Sequence, residues 1–308
     1  MRRIVCMALA LFFLWNFPCG AENYVIVGQM GSEVRYELEQ RVTRSPGTQK
    51  LVLSFVVPPS FESPTYRQKI HGFDLVFSPQ PKDKKRSQDN RGNQIIVATW
   101  KPTPPEITAR ISFKAQNQTR LQQLQTGTPF PLGKVPSDVS PYLSPTKQVQ
   151  SDDPRIRKLA KELTQDVTTQ FDAVQRILTW IVDNLRYVTP PAKYDALYGL
   201  EARTGNCQNF SHLSAALMRA VSIPVRIVNG VTLDKPYNVS RKGGVLSFNM
   251  GLGRHSWIEV WFGDLGWVTF YPQQTELFVS NRFIRFEIGI DNKVTINVGL
   301  LRWSQISG

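Results

Sequence analysis

The sequence predicts an α+β fold in two parts: a β-sandwich-like front, then a domain in which helices pack on an antiparallel sheet. Three observations carry this. Residues 22 to about 114 hold short alternating apolar runs divided by turn residues. From Ser151 to Pro224 the apolar spacing changes to three and four, the period of a helix face. After Val225 alternation returns. With 308 residues, 41% of them hydrophobic, the chain is long enough to bury a core in each part. The expected boundaries are 1–21 for a leader, 22–125 for the β-rich domain, 126–150 for a Pro-rich linker and 151–308 for the second domain.

The chain begins Met1-Arg2-Arg3, then runs apolar from Ile4 to Phe17 and reaches small residues at Cys19, Gly20 and Ala21. A basic end, an apolar stretch short for a bilayer and small residues after it read as a secretory signal cut after Ala21. An uncleaved anchor is the alternative. Phe17-Pro18 is a poor lead-in for a lipoprotein cysteine at Cys19. The expected address is periplasmic or extracellular, with no transmembrane segment after cleavage. Cys6 and Cys19 fall in that leader, so Cys207 is left as a lone cysteine, and a disulfide framework is excluded.

In the β-rich part, Val34 to Val42 alternates, Leu51 to Val57 ends at Pro58-Pro59, and Ile95 to Trp100 and Ile107 to Phe113 repeat the pattern. His71, before Gly72, reads as a surface or turn residue. Prolines at 129, 131, 136, 141 and 145 mark a stiff linker or a strap over the next domain. Ser151-Asp152-Asp153-Pro154 is a helix start, with Ile156, Leu159, Ala160 and Leu163 on one face. A second helix is expected from about Asp172 to Leu185, with Trp180 read as core. After a loop through Pro190-Pro191, a third begins at Cys207: Asn206 is a good N-cap, and Phe210, Leu213, Leu217 and Ala220 form its stripe.

Val225 to Val231 reads as a strand, followed by a loop containing Gly243, Gly244, Gly251 and Gly253. His255 to Phe262 and Trp267 to Tyr271 read as a hairpin turning at Gly263-Asp264-Leu265-Gly266. The stretch from Phe283 to Trp303 alternates enough for two strands joined at Asp291-Asn292.

A thiol in the first turn of a helix feels free backbone N–H groups and the positive end of the helix dipole, both of which favour thiolate. His255 opens its strand with the parity of Trp257, Glu259 and Trp261. If that strand lies against the Cys207 helix, the two side chains can meet as nucleophile and base, with the Cys207 N–H aiding an oxyanion. Register puts either Tyr271 or Gln273 opposite His255 as the group that orients the ring. His212, five residues beyond Cys207 on one helix, points away from the thiol and reads as a surface or packing residue. Glu259 reads as a structural hydrogen-bonding residue and Asp264 as a turn residue. One cysteine and three scattered histidines give no zinc spacing, and there is no phosphate loop or nucleotide fingerprint, so no metal or cofactor is expected.

The net charge is +13, with a basic run from Lys82 to Arg86 that reads as a solvated loop. Such an excess favours anionic surfaces such as acidic envelope polymers. No nucleic-acid reading motif is present.

The wording around Cys207 is specific. Arg203-Thr204-Gly205-Asn206-Cys207, then Ala216 to Arg226, and His255-Ser256-Trp257-Ile258-Glu259-Val260 followed by Gly266-Trp267-Val268 resemble the transglutaminase-like superfamily, over about residues 145 to 275. The helices upstream and Leu185-Arg186-Tyr187 look like the lead-in of exported bacterial members. The resemblance implies a papain-like domain with Cys207 as nucleophile and His255 as its base. Members with an intact triad carry aspartate before a proline after the Gly-Trp strand; here Phe270-Tyr271-Pro272 puts Tyr271 in that place. The implied activity is thiol-dependent acyl transfer on amide bonds of a protein or peptide, as a cysteine peptidase, an amidase or a transglutaminase. The alternatives are a weak or inactive domain kept as a binding or assembly module, and an envelope protein held by charge.

Overall fold

The front of the chain folds because its apolar residues alternate, so that each strand buries one face and wets the other. Its strands are β1 (Gly28–Thr43), β2 (Thr48–Val57), β3 (Phe61–Glu62), β4 (Tyr66–Ser78), β5 (Asp83–Gln88), β6 (Gln94–Trp100) and β7 (Glu106–Leu121). They lie in two sheets of a computed structural model, ordered β1-β7-β4-β3 and β2-β6-β5. Leu51, Leu53 and Phe55 of β2, Phe77 of β4, Ile96 and Trp100 of β6 and Ile107, Ile111 and Phe113 of β7 form the core between them. The structure describes residues 28–232, 237–241, 244–248, 253–274, 278–292 and 301–307, the segments 237–241, 244–248 and 301–307 as backbone only. The expected leader at 1–21 lies outside the described residues.

Two expectations change in this part. The basic run is not a loop: residues 83–88 are an edge strand, exposed along its whole length and paired only to β6. An exposed edge carries no buried face and so no apolar alternation, and its lysines guard the open edge against other chains. Residues 66–78, read only as the surroundings of a surface histidine, form β4, which is bulged between His71 and Asp74 where Gly72 takes φ +61°. His71 is exposed, as expected, and sits on the strand.

The segment 126–150 runs as a strap along the second part. Phe130 N–H donates to the Thr168 carbonyl, and the Asp264 carboxylate accepts from Thr126 Oγ1 at 2.8 Å, Gly127 N at 2.8 Å and Thr128 Oγ1 at 2.7 Å. Asp264 is in a turn, but it also ties that turn to the strap. Helix α1 (Pro154–Leu163) starts at Asp153, whose side chain accepts from Arg155 N, and α2 (Gln170–Asn184) starts at Thr169. Trp180 is only partly buried; the guanidinium of Arg203 lies 4.5 Å from its ring centre.

After β8 (Arg186–Tyr187) the expected loop instead contains a helix, α3 (Ala196–Ala202), too short to show a periodic stripe. Then come β9 (Thr204–Gly205) and α4 (Cys207–Ala220). The strands β10 (Val225–Thr232), β13 (Gly253–Phe262), β14 (Gly266–Phe270) and β15 (Ile284–Gly289) form an antiparallel sheet ordered β14-β13-β10-β15. Between β10 and β13 the glycine-containing stretch, expected as a loop, holds a hairpin of β11 (Tyr237–Arg241) and β12 (Gly244–Phe248).

Helix α4 is buried on every side except at Gln208 and Ala220, and packs with Ile258, Val260 and Phe262 of β13 and Val225 and Ile227 of β10. The two strands expected at the end of the chain are not partners. β15 pairs with β10, whereas β16 (Leu301–Ser307) pairs with β2 and joins the front sandwich. Alternation reports that a strand has a buried face, but not which sheet it enters.

Candidate active site

Cys207 is the first residue of α4, and its position is set by a reciprocal cap. Asn206 Oδ1 accepts from Gln208 N at 3.0 Å, while Asn209 Oδ1 accepts from Asn206 N at 3.0 Å. The Asn209 amide also donates to the carbonyls of Lys193 and Asp195, joining the cap to the start of α3. Gly205 is needed for its size: a Cβ there would lie 2.3 Å from the Asn209 Cβ.

The thiol is buried. Backbone N–H groups of Ser256, Gln208 and Cys207 itself face it, and Arg254 adds positive charge. Burial nevertheless outweighs them and pushes the thiol up to about 11. The helix-start amides expected to favour thiolate are therefore in place, but in the resting protein the cost of burying a charge wins and the thiol is neutral.

His255 is on β13, one residue before Ser256. Alternate residues of this strand divide: Ile258, Val260 and Phe262 join the core with α4, while Trp257 joins a second cluster with Tyr66, Tyr271 and Phe283. His255 belongs to that second face. Its Nε2 lies 3.0 Å from the Tyr271 hydroxyl and 3.4 Å from the Gln273 side-chain nitrogen. The two residues that register left as alternatives thus both converge on one ring nitrogen. The hairpin ladder runs from Phe262↔Gly266 to Ile258↔Phe270, and Tyr271 and Gln273 lie just beyond its end. Burial alone lowers His255 to about 4. Burial raises the phenols of both Tyr271 and Tyr187, and a thiolate at Cys207 would raise them further. No hydrogen bond joins the thiol to the imidazole in this arrangement, among the described residues.

The remaining candidates have structural partners. His212 is fully buried, not at the surface: its Nδ1 donates to the Tyr194 carbonyl at 2.6 Å and its Nε2 accepts from Asn292 N at 3.2 Å. Both ring nitrogens are used, which fixes a neutral tautomer, and burial lowers it to about 4. Glu259 is buried between Arg226 at 2.6 Å and Arg285 at 2.8 Å, as its structural reading expected. Among the described residues there is no cluster of three or more His, Cys, Asp or Glu that could hold a metal ion, and no helix is long and apolar enough to cross a membrane.

Residues 157–272 match the family model of the transglutaminase-like superfamily, a span that takes in Cys207, His255 and Tyr271. This part of the chain is a transglutaminase-like domain. Over 126 residues the chain is 33% identical to the uncharacterized protein YebA of Bacillus subtilis, covering 38% of this chain and 17% of YebA. It is 27% identical over 121 residues to an uncharacterized protein of Mycobacterium leprae, covering 39% of this chain and 40% of that one. The chain thus spans well under half the length of these curated relatives. The crystal structure of a candidate cysteine protease from Cytophaga hutchinsonii superposes with a TM-score of 0.61 at 20% identity, covering 91% of this chain and 89% of that one. That likeness extends the shared fold beyond the transglutaminase-like domain into the β-rich front. The family is one of thiol-dependent enzymes, and the fold is the expected one of helices on an antiparallel sheet.

Proposed function

We propose that the transglutaminase-like domain carries out acyl transfer on amide bonds through Cys207, with His255 as base and then acid and Tyr271 as the group that orients the ring. The observation that carries this reading is the 3.0 Å contact between His255 Nε2 and the Tyr271 hydroxyl beside a thiol seated at a helix start. With Nε2–H donating to the phenol oxygen, and the Gln273 amide turned to accept as well, Nδ1 keeps its lone pair for the thiol proton. Catalytic hydrogen bonds are commonly long in substrate-free enzymes and tighten on binding, so the open thiol–imidazole gap fits a resting site.

The step balances without a cofactor. The thiol proton passes to Nδ1 as sulfur bonds to the carbonyl carbon, and the Cys207 N–H helps hold the oxyanion. The C–N bond then breaks, His255 protonates the departing amine, and a thioester remains on Cys207. Water or a second amine resolves it, giving hydrolysis or transfer. The leader-like residues 1–21 support an exported location, where a protein or peptide of the envelope is the substrate and the +13 charge favours an anionic surface nearby.

Incubating the protein with an unfolded protein substrate and a fluorescent primary amine tests the reading. Labelled product indicates transfer and new amino termini indicate hydrolysis; either must vanish in Cys207→Ala. A second reading, a binding module, is favoured by the burial of the thiol and by a phenol in the acid's place, and predicts neither product.

A further inference from the structure

Phe283 stands where the front sandwich meets the site. Its ring is edge-on to His255, with centroids 5.2 Å apart and planes at 85°, and edge-on to Tyr271 at 5.2 Å and 90°. With Tyr271 holding Nε2, this ring closes another side of the imidazole's surroundings. Its buried faces leave His255 little room to turn.

Phe283 immediately precedes β15, its N–H donates to the Ser280 carbonyl in a turn, and its ring also meets that of Trp257, with centroids 5.3 Å apart. The front sandwich holds its backbone. Its carbonyl accepts from the Tyr66 hydroxyl of β4 and from Asn117 Nδ2 of β7 at 3.0 Å. On either side, Thr119 Oγ1 donates to the Val279 carbonyl at 2.7 Å, and the Gln68 amide pairs with both backbone groups of Arg285 at 2.9 and 2.8 Å. Farther along, Asn93 pairs in the same way with Ile288, at 2.9 Å for each bond. These side chains are buried, so each bond lost would strand a polar group away from water. A grip made of side chains on the backbone of one segment fixes its place along the chain more tightly than apolar contact, which is non-directional.

We infer that Phe283 is a positioning residue for His255, and that the front sandwich, acting through Tyr66 and Asn117, sets the orientation of the base. The sandwich is then part of the site, and not a separate binding unit. This rests on the reading of Cys207 and His255 as a working pair. A slack segment would let the imidazole turn about its χ angles, away from the orientation that the Tyr271 contact holds.

The test uses the full chain, the pH dependence of Cys207 alkylation and the 15N spectrum of the His255 ring. A working pair gives a rate limb at low pH that depends on His255 and a second limb at high pH that belongs to the thiol alone. In Phe283→Leu the His255-dependent limb should fall by about tenfold, the scale at which small misplacements act, while the upper limb stays the same. Tyr66→Phe removes one hydroxyl and leaves the core intact, and should lower the same limb in the same direction. The ring should pass from a single Nε2–H tautomer in the native protein to a mixture in both variants. A native limb that survives unchanged in both variants, with one tautomer throughout, overturns the inference and leaves the pair standing. A native protein without the His255-dependent limb overturns the pair, and the inference with it.

Discussion

Tyr271 brings a neutral hydroxyl, 3.0 Å from His255 Nε2, to the place where the family carries an acid. A carboxylate in its place would stabilise an imidazolium; a buried phenol offers only a neutral oxygen. Burial holds His255 low, at about 4, and the thiol high, at about 11, and no charge at position 271 offsets it. Tyr271→Phe removes the 3.0 Å contact and leaves only Gln273 near Nε2. If Tyr271 orients the ring, the His255-dependent alkylation rate should drop about tenfold, less than the roughly hundredfold or more that a general base itself contributes. Tyr271→Asp should act oppositely: a negative charge beside the ring favours its protonated form, so the lower inflection should move upward from about 4. An unchanged inflection would mean that the introduced carboxyl does not reach the ring or stays protonated. The placement of Cys207 at a helix start and of Tyr271 near His255 was legible in the sequence, the first from capping signals and the second from strand register and family wording. The protonation state was not. It depends on how deeply the thiol is buried, and spacing along the chain carries no information about depth.

At the scale of elements, α4 holds the site because its first turn is clamped. Asn206 and Asn209 satisfy each other's backbone, and Gly205 gives Asn209 the room to do so. Replacing Asn206 with alanine should cost about 1 kcal/mol, the usual loss for a helix cap. Thermal unfolding would read it, and Gly205→Ala should cost more because the new methyl strikes the cap. Leu217→Ala, deep in the core, should cost about 2–5 kcal/mol and leave the alkylation profile of the folded fraction unchanged. The long helices were readable because their apolar residues recur with a 3.6-residue period, although α4 is buried nearly all round. Two elements were not. The edge strand β5 buries no face at all, and α3 spans only Ala196 to Ala202, so neither leaves a pattern of sufficient length.

For the whole molecule, the unexpected feature is how the two parts are joined. The pairing of β16 with β2 and the grip on residues 279–288 are contacts between distant stretches, and period-2 alternation cannot name a partner sheet. Folded as one body, the protein carries two fully buried neutral histidines, His212 and His255, each lowered to about 4 from an unfolded value near 6.5. Below that unfolded value the unfolded chain binds more protons than the folded one, so stability is fully present above about pH 6.5 and is lost as pH falls toward 4. Urea unfolding midpoints should therefore decline across this window. The decline should be shallower in His212→Gln, even if that variant is less stable at pH 7.

The most direct test of the working pair is the rate of Cys207 alkylation by iodoacetamide from pH 3.5 to 11, beside His255→Ala. Two limbs are expected in the native protein. One rises as His255 loses its proton near pH 4 and holds level through neutrality, where the imidazole takes the thiol proton; the other rises as the thiol itself approaches ionisation near 11. His255→Ala should keep only the upper limb. A single rise at high pH, the same in both proteins, would rule out a working pair and leave Cys207 a buried thiol in a binding domain.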